Sequence, residues 1–133
     1  MSDTVRLTMP KEDAYYGVAH LVVGGLASRL EFTYEHLEDL QLALDSVLAN
    51  GKYIEGETVT IELRVRPDGV ELRAGPVAET LRVDLEREVS EDEGVGLGRL
   101  LDTVAEEVGV EAVDETSWLR LEKRLPGKTV TSA

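Results

Sequence analysis

Residues 58–66, Thr-Val-Thr-Ile-Glu-Leu-Arg-Val-Arg, alternate strictly between apolar and polar. Val59, Ile61, Leu63 and Val65 fall on one face of an extended chain and the polar side chains on the other, the period of a strand buried on one side only. Pro67-Asp68-Gly69 is a turn signal, and Val-Glu-Leu-Arg (70–73) resumes the alternation, so a β-hairpin is predicted here. A hairpin with one apolar face needs a cover for that face, and the rest of the chain is read with that requirement in view.

Two helices are predicted before the hairpin. Residues 4–9 alternate, with Val5, Leu7 and Met9 on one face, and read as a first strand. Glu12 and Asp13, after Pro10, suit the first turn of a helix from about Lys11 to Leu30. In that helix Val18, Leu21, Val22, Gly25, Leu26 and Leu30 recur at spacings of three and four. Gly24-Gly25 weakens it by about 1 kcal/mol per glycine, which close packing on another element is expected to offset. Thr33 is a candidate N-cap for a second helix, from about Tyr34 to Ala49. Leu37, Leu40, Leu44, Val47 and Leu48 form its apolar stripe, and Asn50-Gly51 is a natural helix stop.

After the hairpin, residues 79–88 are ambiguous. Leu81, Val83 and Leu85 alternate like a strand, while the flanking charges suit a solvated helix. The acidic run Glu91-Asp92-Glu93 leads into Gly94-Val95-Gly96-Leu97-Gly98, then a helix carrying Leu97, Leu100, Leu101, Val104 and Val108. Two short strands near 110–114 and 117–123 close a single domain, 1–125, and the small polar tail 126–133 is expected to fray. This order predicts an α/β (α+β) two-layer sandwich, with helices covering one face of a mostly antiparallel sheet.

Bulk properties narrow the function. The 133 residues include no cysteine, which excludes disulfides and thiolate chemistry, and only two histidines, His20 and His36. A net charge of −13 opposes direct DNA or RNA binding, which needs clustered Lys and Arg, and aromatic residues for base stacking are few. The longest apolar run, Leu21 to Leu26, is too short to span a bilayer. The start of the chain lacks the basic and apolar regions of a secretory signal, so a cytoplasmic location is expected.

Two constellations carry chemistry. Glycines 94, 96 and 98 at a helix start let backbone N–H groups approach an anion, although the preceding acids repel phosphate unless Mg²⁺ or another cation compensates. Ser46 and Asn50 stand four apart on one helix face. The helix Leu-Glu-Asp-Leu-Gln-Leu-Ala-Leu-Asp-Ser-Val-Leu-Ala-Asn (37–50), the hairpin, the glycine turn with its helix (94–108) and the closing Trp-Leu-Arg-Leu-Glu-Lys-Arg-Leu (118–125) occur in this order. Together they resemble the RsbW-like anti-sigma-factor serine kinases of the GHKL (Bergerat-fold) ATPase superfamily, over roughly Val5 to Leu125.

The resemblance implies a Bergerat-type mixed sheet and a site for Mg-ATP or ADP. Its helix carries a catalytic Glu and, four residues later, an Asn that coordinates Mg²⁺. Asn50 matches that Asn, as metal ligand and nucleotide contact, and Ser46 falls where the Glu belongs. A serine hydroxyl is no general base at neutral pH, and losing a positioned base costs roughly 10²–10⁴ in rate. Asp45 is rotated about 100° from Ser46, and Asp39 lies roughly 10 Å away along the axis. No register supplies both groups. The family's Asp-x-Gly-x-Gly box, whose Asp accepts a hydrogen bond from the adenine amino group, falls on Arg73 or, shifted by one, on Ala74, and neither accepts that bond. The glycine turn, Gly94, Gly96 and Gly98, keeps the family's phosphate-type form.

Plainer roles stand beside these. Asn50 also reads as a helix terminus and Ser46 as a small surface residue. Glu38, Asp39 and Asp45 read as a solvated face, His20 and His36 as ordinary surface or satisfied histidines, and Trp118 as a core or edge anchor of the last strands. The function expected is a degenerate anti-sigma-type regulator acting by protein binding, with ATP binding weakened or lost. Its implied partners are a sigma factor or an anti-anti-sigma protein and a second copy of itself. The alternatives are an active ATP-dependent serine/threonine kinase and an unrelated small α/β interaction domain.

Overall fold

The computed structural model describes residues 3–29, 34–48, 53–86, 89–90, 94–95 and 97–124. The chain runs β1 (Asp3–Pro10), α1 (Asp13–Ala27), α2 (Tyr34–Leu48), β2 (Thr58–Arg66), β3 (Gly69–Gly75), α3 (Glu79–Glu86), β4 (Val89–Ser90), β5 (Gly94–Val95), α4 (Leu97–Val104), β6 (Glu107–Val113) and β7 (Thr116–Arg124). Five strands form one sheet in the order β1-β2-β3-β7-β6, with every pairing antiparallel. The predicted hairpin is β2–β3, with Arg66 opposite Gly69 and Leu63 opposite Leu72.

Alternation decides the two faces. Val59, Ile61 and Leu63 of β2, Val70, Leu72 and Ala74 of β3, and Leu119 and Leu121 of β7 are buried in one core. The helices complete that core, with Ala19 and Val23 from α1, Leu40, Ala43, Leu44, Val47 and Leu48 from α2, Leu81 from α3, and Leu101 and Val104 from α4. Gly69 is required where the hairpin turns back, because a Cβ there would run into the Lys123 carbonyl of β7. Between Val113 and Thr116 the two-residue turn holds Asp114 at φ 57, a left-handed conformation that aspartate tolerates better than most residues. Among the described residues no helix is long and apolar enough to cross a membrane.

The other face of the sheet has no covering layer among the described residues. It is filled by an arginine–glutamate lattice. Glu62 accepts from Arg6 Nε and Nη2 at 3.0 and 2.6 Å and from Arg73 Nη1 at 3.4 Å, and Arg73 Nη2 reaches Glu111 at 2.5 Å. Glu71 is met by Arg120 at 2.5 Å and Arg64 at 3.2 Å, and Arg120 continues to Glu122 at 2.8 Å. Glu62 and Glu71 are only 5% and 4% exposed, a burial that long arginine stems lying over the carboxylates account for.

Several boundaries differ from the sequence reading. The first helix occupies Asp13–Ala27 rather than Lys11 to Leu30. Residues 79–86 are helical, because Leu81 and Leu85, four apart, pack inward while Val83 is 50% exposed. Val108 belongs to β6 and not to the last helix, which ends at Val104, and β6 begins at Glu107. The candidate cap Thr33 and the helix stop Asn50-Gly51 lie outside the described residues.

The lattice sets a pH dependence. The hydrogen bond from Arg6 holds the Glu62 carboxyl below the usual range against the opposing effect of burial, and the charges of Arg6, Arg73 and Arg64 lower it further. A carboxyl whose folded pKa is depressed contributes stability that is fully present above its unfolded value, near 4.5, and lost as pH falls through the folded value. Glu62→Gln is expected to lower stability at pH 7, and its gap to the wild type to close as pH drops below that unfolded value. Urea-unfolding midpoints of both proteins from pH 7 to 3 measure this.

Candidate functional site

Burial of Leu40, Ala43, Leu44, Val47 and Leu48 fixes the roll of α2 and so the direction of its polar residues. Half-buried Ser46 donates its hydroxyl to the Leu42 carbonyl at 2.8 Å, a bond within its own helix. Asp45 points to α1, where its Oδ1 lies 2.6 Å from His20 Nε2. Asp39 turns inward to the Lys123 ammonium at 3.2 Å, and that ammonium also donates to the Val104 carbonyl at 2.8 Å. The expectation of one solvated acidic face therefore fails for Asp39, whereas Asp45 is exposed as expected and His20 is a histidine satisfied by it.

Lys123 was missed, although a signal for it exists. It follows Leu119 and Leu121 at period two and so must point into the core. With 7% exposure it satisfies one of the last carbonyls of α4, a group with no partner inside the helix.

A second cluster lies at the end of β3. The Val77 N–H donates to the Ser117 carbonyl at 2.8 Å, the Glu55 N–H to the Pro76 carbonyl at 2.9 Å, and the Ala78 N–H to the Tyr53 carbonyl at 2.8 Å. Ile54 bridges to Val77, and the Tyr53 hydroxyl donates to Asp84 of α3 at 2.5 Å. The segment following α2 is thus bound to the turn following β3. The Arg73 side chain belongs to the opposite face of the sheet, against Glu62, Glu111 and Trp118. The core-side residue here is fully buried Ala74, which offers only a methyl group.

Of the glycine turn, Gly94 lies in β5 opposite Ser90 and Gly98 in the first turn of α4. Asn50 and Gly96 lie outside the described residues. Packing joins α2 to α4 and α4 to α3. A cavity of about 230 Å³ opens between α3, α4 and β6, lined by Arg82, Leu85, Glu86, Asp102, Val108 and Val110. Another of similar size lies on the bare face of the sheet, and no residue of α2 lines either one.

The outer surface of the helical layer is unusual. Leu21 is 77% exposed and Val18 and Tyr15 are 42% exposed on α1, and Leu42 adds an exposed apolar side chain from α2. Residues 12–28 and 34–48 contain no Lys or Arg, while Glu12, Asp13, Glu35, Glu38 and Asp45 are exposed acids in or beside these helices. The face is apolar and acid-rimmed.

Removing Asp39 leaves the Lys123 ammonium with a single carbonyl partner. Asp39→Ala is expected to cost about 1–3 kcal/mol, whereas Glu38→Ala, at the exposed position beside it, should stay within about 0.5 kcal/mol. Urea denaturation of the two variants distinguishes them.

No family model matches the chain. Among curated proteins it is similar to the serine-protein kinase RsbW of Halalkalibacterium halodurans, 29% identical over 89 residues, which are 65% of this chain and 55% of that protein. It is 32% identical over 78 residues to the protein of the same name from Listeria innocua, covering 55% of this chain and 50% of the relative. To that of Oceanobacillus iheyensis it is 30% identical over 90 residues, covering 64% and 56%. The chain spans about half the length of the relatives it matches. The order of helix, hairpin, glycine turn and closing strands thus carries a true resemblance, and the chain is similar to the serine-protein kinases named RsbW.

Proposed function

We propose that the chain is a regulatory protein of the anti-sigma type that works by binding other proteins, on a kinase-like scaffold whose phosphoryl transfer is lost and whose nucleotide binding is weakened. One observation carries the reading. Ser46 stands where the resemblance requires a carboxylate, and each neighbouring candidate is already engaged: Ser46 by its own helix, Asp45 by His20 and Asp39 by Lys123. Recruiting either acid as a base means breaking the contact it already makes. A methyl group at Ala74 supports weakened adenine selectivity, since an adenine amino group buried there without an acceptor costs about 1–3 kcal/mol. Among the described residues, Ser46 and Ala74 are the two positions that support weakened nucleotide binding.

The binding surface in this reading is the acid-rimmed apolar face of α1 and α2. Exposed apolar patches of this kind mark protein interaction sites. The partners are a sigma factor or an anti-anti-sigma protein, with a second copy of the chain, in a cytoplasmic setting. The competing reading, an active serine kinase, is favoured by the name of the relatives, serine-protein kinase RsbW.

Incubation with Mg-ATP and a candidate anti-anti-sigma protein separates the two. No phosphate transfer above background is expected, and transfer to a serine of that protein would overturn the reading. Leu21→Glu is expected to weaken binding of the partner about tenfold or more. Its unfolding free energy should stay within about 0.5 kcal/mol of the wild type, because the side chain contributes little to the core.

A further inference from the structure

The bare face of the sheet carries a slot that neither the proposed protein interface nor the kinase resemblance uses. It has a volume of about 230 Å³ and is lined by Arg6, Thr8, Thr60, Glu62, Arg73, Val113 and Trp118. Its apolar wall is Trp118 with Val113. The indole ring lies over Gly75, where a Cβ would come within 2.6 Å of Trp118 Cδ2, so glycine is what lets the ring lie down on the strand. The Arg73 guanidinium sits 5.9 Å from the ring centroid. The indole N–H is taken by Thr116 Oγ1 at 3.1 Å, which fixes the ring plane.

The polar wall is rich in donors. Both oxygens of Glu62, the one carboxylate in the lining, already accept from guanidinium groups, Oε2 from Arg6 and Oε1 from Arg73. An incoming cation would be repelled by the two guanidinium groups already on this carboxylate, which is only 5% exposed. An anion meets donors to spare: a guanidinium has five N–H groups, and Arg6, its side chain 67% exposed, gives only Nε and Nη2 to Glu62. Thr8 and Thr60 share one hydrogen bond at 2.8 Å, which leaves one hydroxyl proton free to donate.

We propose that this slot binds a small organic carboxylate, its anionic group on Arg6 and the threonine pair and its flat apolar body against Trp118 and Val113. Fork-shaped guanidinium donors suit a carboxylate in pairs, and the volume of about 230 Å³ is ample for a body of one aromatic ring. The site is open at the surface and the ligand small, so saturation is expected at about millimolar concentration.

Trp118 is the single tryptophan of the chain, so its indole N–H gives one resonance at the slot. Titration of the ¹⁵N-labelled protein with sodium benzoate, against sodium chloride at matched ionic strength and against neutral benzamide, reads the proposal directly. A saturable shift of the indole resonance with benzoate is expected, at least about tenfold weaker with benzamide and absent with chloride. Arg6→Gln, at an exposed position, should weaken the benzoate response about tenfold, the loss of one charge-assisted pair. Thr8→Val should weaken it less, with the lattice intact. Shifts of equal size with benzoate and benzamide, no saturable shift with benzoate, or an unchanged response in Arg6→Gln would each overturn the assignment.

Discussion

The structure depends on one constraint: among the described residues, helices cover only one face of the sheet. Every residue of β2, β3 and β7 therefore meets either a packed apolar layer or a surface that must satisfy itself. The strands answer by period two, with Ile61, Leu63, Leu72 and Leu121 to the helices and Glu62, Arg64, Glu71, Arg73 and Arg120 to the lattice. A slip of one residue in any pairing would exchange the two sets, placing charges in the core and apolar groups on the bare face. Register is thus specified twice, once by burial and once by ion pairing. The lattice earns its stability from several mutually oriented partners, since isolated surface pairs contribute little.

Lys123 is the one charged residue on the core-facing positions of β7, and it ties the layers together. Its stem runs with Leu119 and Leu121, and its ammonium emerges where α4 ends, at the negative end of that helix, beside Asp39 of α2. The sheet, α2 and α4 meet in this one side chain. Because α4 starts at Leu97, within the glycine run 94–98, the position of its first turn relative to α2 rests partly on a contact at the far end of the short helix.

The apolar pattern made the sheet, the hairpin and the stripe of α2 readable in the sequence, because each is a local period imposed by burial. What escaped depended on partners distant along the chain. Residues 79–86 carry Leu81, Val83 and Leu85, which satisfy a strand or one helical turn equally, and only packing of Leu81 and Leu85 selects the helix. Val108 continued the helical spacing of α4, yet pairing with Leu121 of β7 claims it for β6. For the candidate site, the substitution at position 46 was plain from the sequence, whereas the engagement of Asp39 by Lys123, 84 residues away, could emerge only from the fold. That Arg73 joins the lattice face of β3 and Ala74 the core likewise emerges only from the fold.

On α2 the residues that hold the fold are distinct from the positions to which the resemblance assigns chemistry, which is compatible with the proposed loss of the base. Leu40, Leu44, Val47 and Leu48 hold the helix to the sheet, and none of them is a position where the resemblance places a reacting group. A serine at position 46 is accommodated by bonding back to Leu42, so the exchange leaves no buried polar atom without a partner there. Under the proposed reading, the stability of the domain does not depend on which residue stands at position 46, whereas a phosphoryl-transfer rate would. What the scaffold still presents is the outer face of α1, where Val18 and Leu21 remain in water at a cost in hydration that nothing in the fold requires. Substituting them by polar residues would leave the core intact, so packing among the described residues does not account for them. A protein-binding role rests on that mismatch between what folding needs and what the helix exposes.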